Sequence, residues 1–445
     1  MATTSKDIAT RSASTALAPT RVPVAPHDAI WLQDTPTNLM VINGVITTDR
    51  LDLATLRRVF QERVIDGAEG RFARFRQRVE RSGGGWCWVD DPDFDIARHI
   101  FAAPSADIGT TEKLREYVGR EASKPLPADR ALWQFQLIED FENGGSACLV
   151  RLHHCIGDGV SLVTVIFHLM EEVAGHEGAS PARIQPAAGR FGSKLVRAIQ
   201  IPFAAPAILI ARLLWIPDRT VLHGPRVSGK KQVAWTEPLD LQVLKDIKNR
   251  LGATVNDVLM AAVSGALSRY IERRAGQAIV RLRISMPVSI RNPAAKITLE
   301  NRFAAVPLEL PAGIAQARER VARVKERMDA LKKSVAPIVI YGIQSALLKV
   351  LPQAASRGLI DFLANKCTAV VTNVPGPQRG LTLGGARLRS LLFWVPQRAD
   401  IGVGISILSF AGKVQIGVLC DTEVVPDPME LVRAFEEELA ALRAL

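Results

Sequence analysis

The stretch VRLHHCIGDGVSL, residues 150–162, sets two adjacent histidines, His153 and His154, just ahead of an Asp158-Gly159 pair. Apolar runs flank it, ACLV before and VSLVTVIF after, so a polar cluster is held where a buried strand ends and a helix begins. Three chemistries fit such a cluster: a metal site, a turn with a satisfied core histidine, or general-base catalysis by one imidazole. Adjacent side chains point to different faces on a strand or a helix, so one ion has difficulty meeting both rings. The seven histidines include no HExxH or HxH pattern, and no metal is expected. A plain turn would bury an unpaired imidazole and carboxylate at about 1–3 kcal/mol each. An imidazole near neutral pKa, its tautomer fixed by a neighbouring carbonyl or carboxylate, can instead take a proton from a hydroxyl or amine attacking an acyl carbon. Asp158 then either helps to orient the base or shapes the loop through an arginine partner. Gly157 and Gly159 let backbone and substrate approach closely.

Outward from the motif, the folded chain starts near HDAIWLQD. A strand is expected in NLMVINGVI (38–46) and a helix in LDLATLRRVFQERV (51–64). ALWQFQLIED and SACLVRLHH read as two strands separated by the turn residues Asn143, Gly144 and Gly145. In the second half, a helix over PLDLQVLKDIKNR is followed by a second opening at TVND, where Thr254 or Asn256 caps. VRLRISMPVSI, TAVVTNV and LRSLLFWV have strand character, AQARERVARVKERMDALKK is an amphipathic helix, and FAGK is the turn of a hairpin. Strands mixed with helices in both halves predict an α/β (α+β) class with two lobes.

The 445 residues are 48% apolar and 23% charged, enough to bury the cores of two domains. Expected boundaries are a disordered tail over 1–25, a first lobe over 26–185, a linker over 186–232 and a second lobe over 233–445. The linker holds LVRAIQIPFAAPAILIARLLWIP (195–217), whose prolines and arginines suit a bent helix lying on a core or a bilayer surface rather than a membrane span. The net charge of +11 attracts polyanions, but the basic residues are scattered rather than interleaved with aromatics, and no nucleic-acid partner is expected. Five cysteines without a CxxC spacing fit neither a zinc cage nor a disulfide framework, and suit a cytoplasmic protein.

The motif HHCIGDG resembles the HHxxxDG signature of the chloramphenicol acetyltransferase-like superfamily. More narrowly, the chain resembles the bacterial wax ester synthase/acyl-CoA:diacylglycerol acyltransferase family. Its Pro-Leu-Trp stretch is matched by Ala131-Leu132-Trp133, its Asn-Asp motif by Asn256-Asp257, and its SNVPGP by Thr372 to Pro377, with Asn373 at the second position. WVDDPDFDIARHI and ISMPVSIRNP…ENRF also read as family segments. The resemblance implies two lobes with a channel between them and His154 as general base, supported by His153 and by a largely structural Asp158. It implies acyl-CoA as a substrate, with no cofactor, and diacylglycerol or a long-chain alcohol as acceptor. Triacylglycerol or wax ester would then be the product, with peripheral contact at a membrane or lipid droplet. Asn256 and Asp257 would support the site, and Thr372 and Asn373 are candidates for substrate contact. Cys155, beside the base, reads as a small buried side chain rather than a nucleophile. Two alternatives stand beside this: a condensation-type acyltransferase using an amine acceptor or carrier-protein donor, and a non-catalytic lipid-binding protein of the same fold.

Overall fold

The computed structural model describes residues 21–67, 70–104, 107–173, 194–223, 226–292 and 298–445, with 194–203 as backbone only. Two seven-stranded sheets organise the molecule. The first runs in the order Ile100–Ala102, Trp133–Phe141, Gly145–His153, Val41–Thr48, Ala386–Trp394, Leu381–Leu383, Met170–Glu172. The strand Gly145–His153, inside this sheet, is buried along its whole length. Cys148, Val150 and Leu152 face one core with Phe60 and Trp133, while Ala147 and Leu149 face another with Tyr117, Trp235 and Trp394. That double burial explains the unbroken apolar run that precedes the histidines. The hairpin joining it to Trp133–Phe141 turns at Asn143 (φ 56°) and Gly144 (φ 65°), as the Asn-Gly pair predicts.

The second sheet runs Leu239–Asp240, Lys413–Asp421, Val403–Phe410, Ala369–Pro375, Leu282–Ser289, Phe303–Leu310, with Lys231–Trp235 also on Lys413–Asp421. Helices Leu241–Arg250, Val255–Ala275, Ala317–Lys333 and Pro428–Arg443 share its core. Thr254, not Asn256, caps Val255–Ala275, and Asp257 at the third helical position completes a capping box.

Sheet membership departs from the expected boundary at 232. Leu381–Leu383 and Ala386–Trp394 leave the second half of the chain and complete the first sheet, with Leu391 opposite Ile46 and Leu392 opposite Val45. Their apolar faces fit the first core equally well, and pairing there covers the free edge of Val41–Thr48. Behind them the sheets come close: a Cβ on Gly417 would lie 2.6 Å from Trp394 Nε1. The expected tail also ends early, because Arg21–Pro23 pairs with Val89, Trp88 and Cys87 of the strand Gly85–Asp90. Ladder hydrogen bonds and the buried Val24 fix this segment; residues 1–20 lie outside the described residues.

Within the expected linker, the apolar segment forms the helix Lys194–Leu214. Two helices had no expected counterpart: Ala336–Val350, which packs against it, and Gln353–Ala364, which packs on Ala336–Val350. Among the described residues no single helix is long and apolar enough to cross a membrane.

Candidate active site

The strand Gly145–His153 ends at His153, and the helix Gly159–His168 begins after Asp158. The two histidines diverge across this turn, as adjacent residues must. His153 points to Asp34, its Nε2 2.8 Å from Asp34 Oδ2. The Cys155 amide donates to His153 Nδ1 at 3.2 Å, so Nδ1 accepts and Nε2 carries the proton given to Asp34. Backbone bonds from His153 to Leu132 O (2.9 Å) and from His154 to Met40 O (2.8 Å) fix the strand end between its neighbours.

His154 turns the other way, against Trp31. Their rings stack at 3.8 Å with 12° between planes, and Phe303 flanks both, 5.7 Å from His154 and 5.9 Å from Trp31. The ring lines a cavity of about 820 Å³ between the sheets. Neither ring nitrogen has a hydrogen-bond partner among the described residues, and Nδ1 is buried. Burial lowers the His154 pKa to about 4, against smaller opposing effects from its own backbone carbonyl and from Asp158. The imidazole is therefore neutral at physiological pH, with a lone pair available.

Asp158 does not orient this ring by a hydrogen bond. Its Oδ1 caps the helix through Ser161 N at 2.9 Å, and its Oδ2 accepts from Arg291 Nε (3.2 Å), Arg291 Nη2 (2.9 Å) and Arg302 N (2.9 Å). The loop-shaping alternative, through an arginine partner, is the observed one. Gly157 is sterically required, because a Cβ there would meet Ser161 Oγ at 2.5 Å. Gly159 is not: nothing lies within 4 Å of a Cβ built on it, and it lines the open cavity.

A second network holds His154 from behind. Asn301 Nδ2 donates to the His154 carbonyl and to Asp28 Oδ1, both at 2.8 Å, and Arg74 Nη2 donates to Asp28 Oδ2 at 2.8 Å. Arg74 also donates to the Cys155 and Ile156 carbonyls. Two buried carboxylates of the first lobe, Asp28 and Asp158, thus grip Arg291, Asn301 and Arg302 of the second. Motif spacing alone did not reveal Asp28, Trp31, Asp34, Arg74, Arg291 or Asn301; all but Arg74 lay in the quoted segments HDAIWLQD, SIRNP and ENRF.

The remaining expected residues divide. Asn256, Thr372 and Asn373 line the cavity, and Asn373 Nδ2 donates to Asn256 Oδ1 at 2.9 Å. Thr372 Oγ1 makes no hydrogen bond within the described residues. Asp257 is fully buried in the capping box and is not part of the cavity lining. Trp133 is a core residue, stacked on Phe60 (4.6 Å) and His99 (4.4 Å) with Nε1 on the Phe75 carbonyl at 2.9 Å. Leu132 acts through its backbone. Cys155 is buried among apolar neighbours. No three metal-ligating side chains converge among the described residues.

The neutral imidazole of His154, without a protein hydrogen-bond partner on its ring, thus faces a cavity between the two lobes. Residues 25–198 match the wax ester synthase/diacylglycerol acyltransferase catalytic domain, and residues 299–443 match the C-terminal domain of the same family. The chain belongs to the wax ester synthase/diacylglycerol acyltransferase family. It is an acyltransferase. The Mycobacterium tuberculosis protein named "Probable diacyglycerol O-acyltransferase tgs1" is 27% identical over 403 residues, covering 84% of this chain and 85% of that one. The wax ester synthase/diacylglycerol acyltransferase from Marinobacter aquaeolei VT8 has the same fold (TM-score 0.70, 22% identity, 95% of this chain and 100% of that chain). So does the first condensation domain of the calcium-dependent antibiotic synthetase (TM-score 0.61, 18% identity, 95% and 96%).

Proposed function

We propose that this wax ester synthase/diacylglycerol acyltransferase family member moves a long-chain acyl group from acyl-CoA to diacylglycerol and to long-chain alcohols, with His154 as general base. The neutral, unpartnered His154 ring facing the interlobe cavity carries this reading. The acceptor hydroxyl gives its proton to Nε2 while its oxygen attacks the thioester carbon. The tetrahedral intermediate then collapses, the C–S bond breaks, and the imidazolium returns the proton to the departing sulfur as CoA. The Thr372 hydroxyl, unpaired at the cavity wall, is the candidate donor to the oxyanion, and Asn373 orients Asn256 beside it.

The cavity lining supports both substrates. Lys245 and Lys332 line it with Asn256 and Gln378, a surface suited to the anionic CoA. Ile208, Leu347, Leu348, Ile360 and Leu363 give it an apolar wall suited to alkyl chains. Around that wall Ile210, Leu214, Ile216, Val350 and Phe362 are exposed. This apolar surface supports peripheral contact with a membrane or lipid droplet, where the acceptors reside.

The test is thiol release from palmitoyl-CoA with diacylglycerol, hexadecanol or no acceptor. Acceptor-dependent release that falls at least ~10²-fold in His154→Ala, in a protein that still folds, is expected. Wild-type turnover by that variant removes His154 as the base. Flotation with phosphatidylglycerol-containing vesicles tests the surface: Leu214→Glu with Ile216→Glu should reduce binding several-fold, and unchanged flotation places the contact elsewhere.

A further inference from the structure

Among the described residues, Arg212 lines the cavity as a cation without a counter-ion. It stands in the last turn of the helix Lys194–Leu214, with Ile208 and Leu209 one turn before it on the same cavity-lining face. It makes no hydrogen bond or ion pair within the described residues, and its nitrogens are not sealed inside the protein. The other cations at this end are committed. Lys366 Nζ donates to Leu213 O at 3.1 Å and to Trp215 O, which satisfies the end of the same helix. Arg283 Nη1 pairs with Asp218 Oδ1 at 3.2 Å, and Arg398 Nε with Asp361 Oδ1 at 2.7 Å.

Burial pushes the Arg212 pKa down, opposed by the Cys367 thiol beside it and not by any carboxylate. The guanidinium nevertheless keeps its charge at physiological pH. A half-buried charge held against apolar side chains is costly unless an anion meets it. The surroundings select that anion. Cys367 N donates to Ala364 O at 2.9 Å, and Leu363, Ala364 and Cys367 line the cavity together with Ile208 and Leu209. An anion seated there carries an alkyl chain. One guanidinium, with Lys366, Arg283 and Arg398 already paired, suits the single charge and planar oxygens of a carboxylate better than a phosphate monoester with nearly two charges.

Acyl transfer brings no carboxylate to this place: the acceptors are neutral, and the lysines suited to the CoA phosphates are Lys245 and Lys332. The channel has room for a long chain. Thr368 N donates to Arg283 O at 2.8 Å, which sets Cys367 level with the start of the strand Leu282–Ser289. Ser289, at the other end, pairs with Phe303, whose ring lies beside His154. From Arg283 to Ser289 the strand covers about 20 Å, and Met286 and Val288 line the cavity between them. We infer that Arg212 binds the carboxylate of a free long-chain fatty acid whose tail lies along this channel toward His154. The bound acid takes the space of a substrate chain and inhibits transfer. The inhibition rests on the acyl-transfer reading of His154; the binding does not.

Equilibrium dialysis of the full chain against radiolabelled palmitate, hexadecyl phosphate or hexadecanol measures the site. Transfer from palmitoyl-CoA to hexadecanol with added palmitate measures its effect. Palmitate should bind tighter than hexadecyl phosphate. Arg212→Gln should weaken palmitate at least about tenfold, the effect of one lost charge-assisted pair, and hexadecanol by less than about twofold. Arg212→Lys, which keeps the charge, should recover part of the loss. Palmitate should inhibit transfer, with its inhibition constant raised in Arg212→Gln by the factor seen in dialysis. Removing an uncompensated charge should leave the melting midpoint of ligand-free Arg212→Gln at or above wild type. A lowered midpoint, or failure to fold, makes Arg212 a structural residue and overturns the proposal, as does equal palmitate affinity in the two proteins. Tighter binding of hexadecyl phosphate overturns the choice of a carboxylate, and palmitate binding without inhibition of an active enzyme overturns the inhibitory role. Arg212-dependent palmitate binding by a protein that transfers no acyl group supports the site and overturns the acyl-transfer reading instead.

Discussion

At the scale of single residues, the motif separates chemistry from support. His154 faces the cavity unpaired, whereas Asp158 is paired with Arg291 at two nitrogens and buried with it. Removing each should therefore have opposite signatures. His154→Ala should cut turnover at least ~10²-fold and lower the thermal midpoint only slightly, because it loses the stack on Trp31 but no side-chain hydrogen bond. Asp158→Ala strands a buried guanidinium and uncaps a helix, at about 3–5 kcal/mol, and should lower the midpoint by several degrees or prevent folding. Equal thermal losses would contradict the division. The depressed His154 pKa also has a direction in pH. The base works only when neutral, so kcat/KM should hold from pH 7 to about 5 and fall as pH drops through about 4. Stability follows the same sign. The unfolded state takes up the proton near 6.5 and the folded state only near 4, so His154 destabilises the fold progressively as pH falls between those values. The motif made the histidines legible. It did not reveal Trp31 or Asn301, because their roles depend on neighbours more than a hundred residues away in sequence.

At the scale of elements, turn and cap chemistry was largely visible in sequence. Asn143-Gly144 and the FAGK turn form where expected, although the second places Ala411 at φ 46°. A left-handed alanine carries roughly 1 kcal/mol of strain, so Ala411→Gly should raise stability by a few tenths to 1 kcal/mol in a urea melt. Gly157→Ala should do the reverse. Its Cβ would displace Ser161 Oγ, which hydrogen-bonds the Asp158 backbone and carboxylate, at a cost of about 1–3 kcal/mol and with loss of activity. Full activity of that variant would show that the turn tolerates repacking. The helices Ala336–Val350 and Gln353–Ala364 were not evident beforehand. Their exposed and buried apolar residues mix, since they line an open cavity rather than a closed core, and that blurs the helical period.

At the scale of the whole molecule, the lobes are interlocked rather than strung in sequence. Ala386–Trp394 completes the first sheet, Asp28 and Asp158 hold Arg291, Asn301 and Arg302, and Trp394 packs on Trp235 at 5.6 Å. A fragment of residues 21–232 would leave the edge of Val41–Thr48 unpaired and would strip Asp28 Oδ1 and Asp158 Oδ2 of their partners. It should fail to give a cooperative melt by circular dichroism, and co-expression with 233–445 should restore one. Independent folding of the first fragment would refute the interlock.

The sequence by itself determined the strand-turn-helix that presents two histidines and the mixed class of the fold. These follow from local periodicity, turn residues and apolar runs, which act over a few residues. Only the tertiary structure decided which histidine meets the cavity, what Asp158 binds, and where the strand Ala386–Trp394 pairs. Each of these is a contact between distant segments, chosen by which pairing satisfies buried charge and covers a sheet edge. No local pattern encodes that choice.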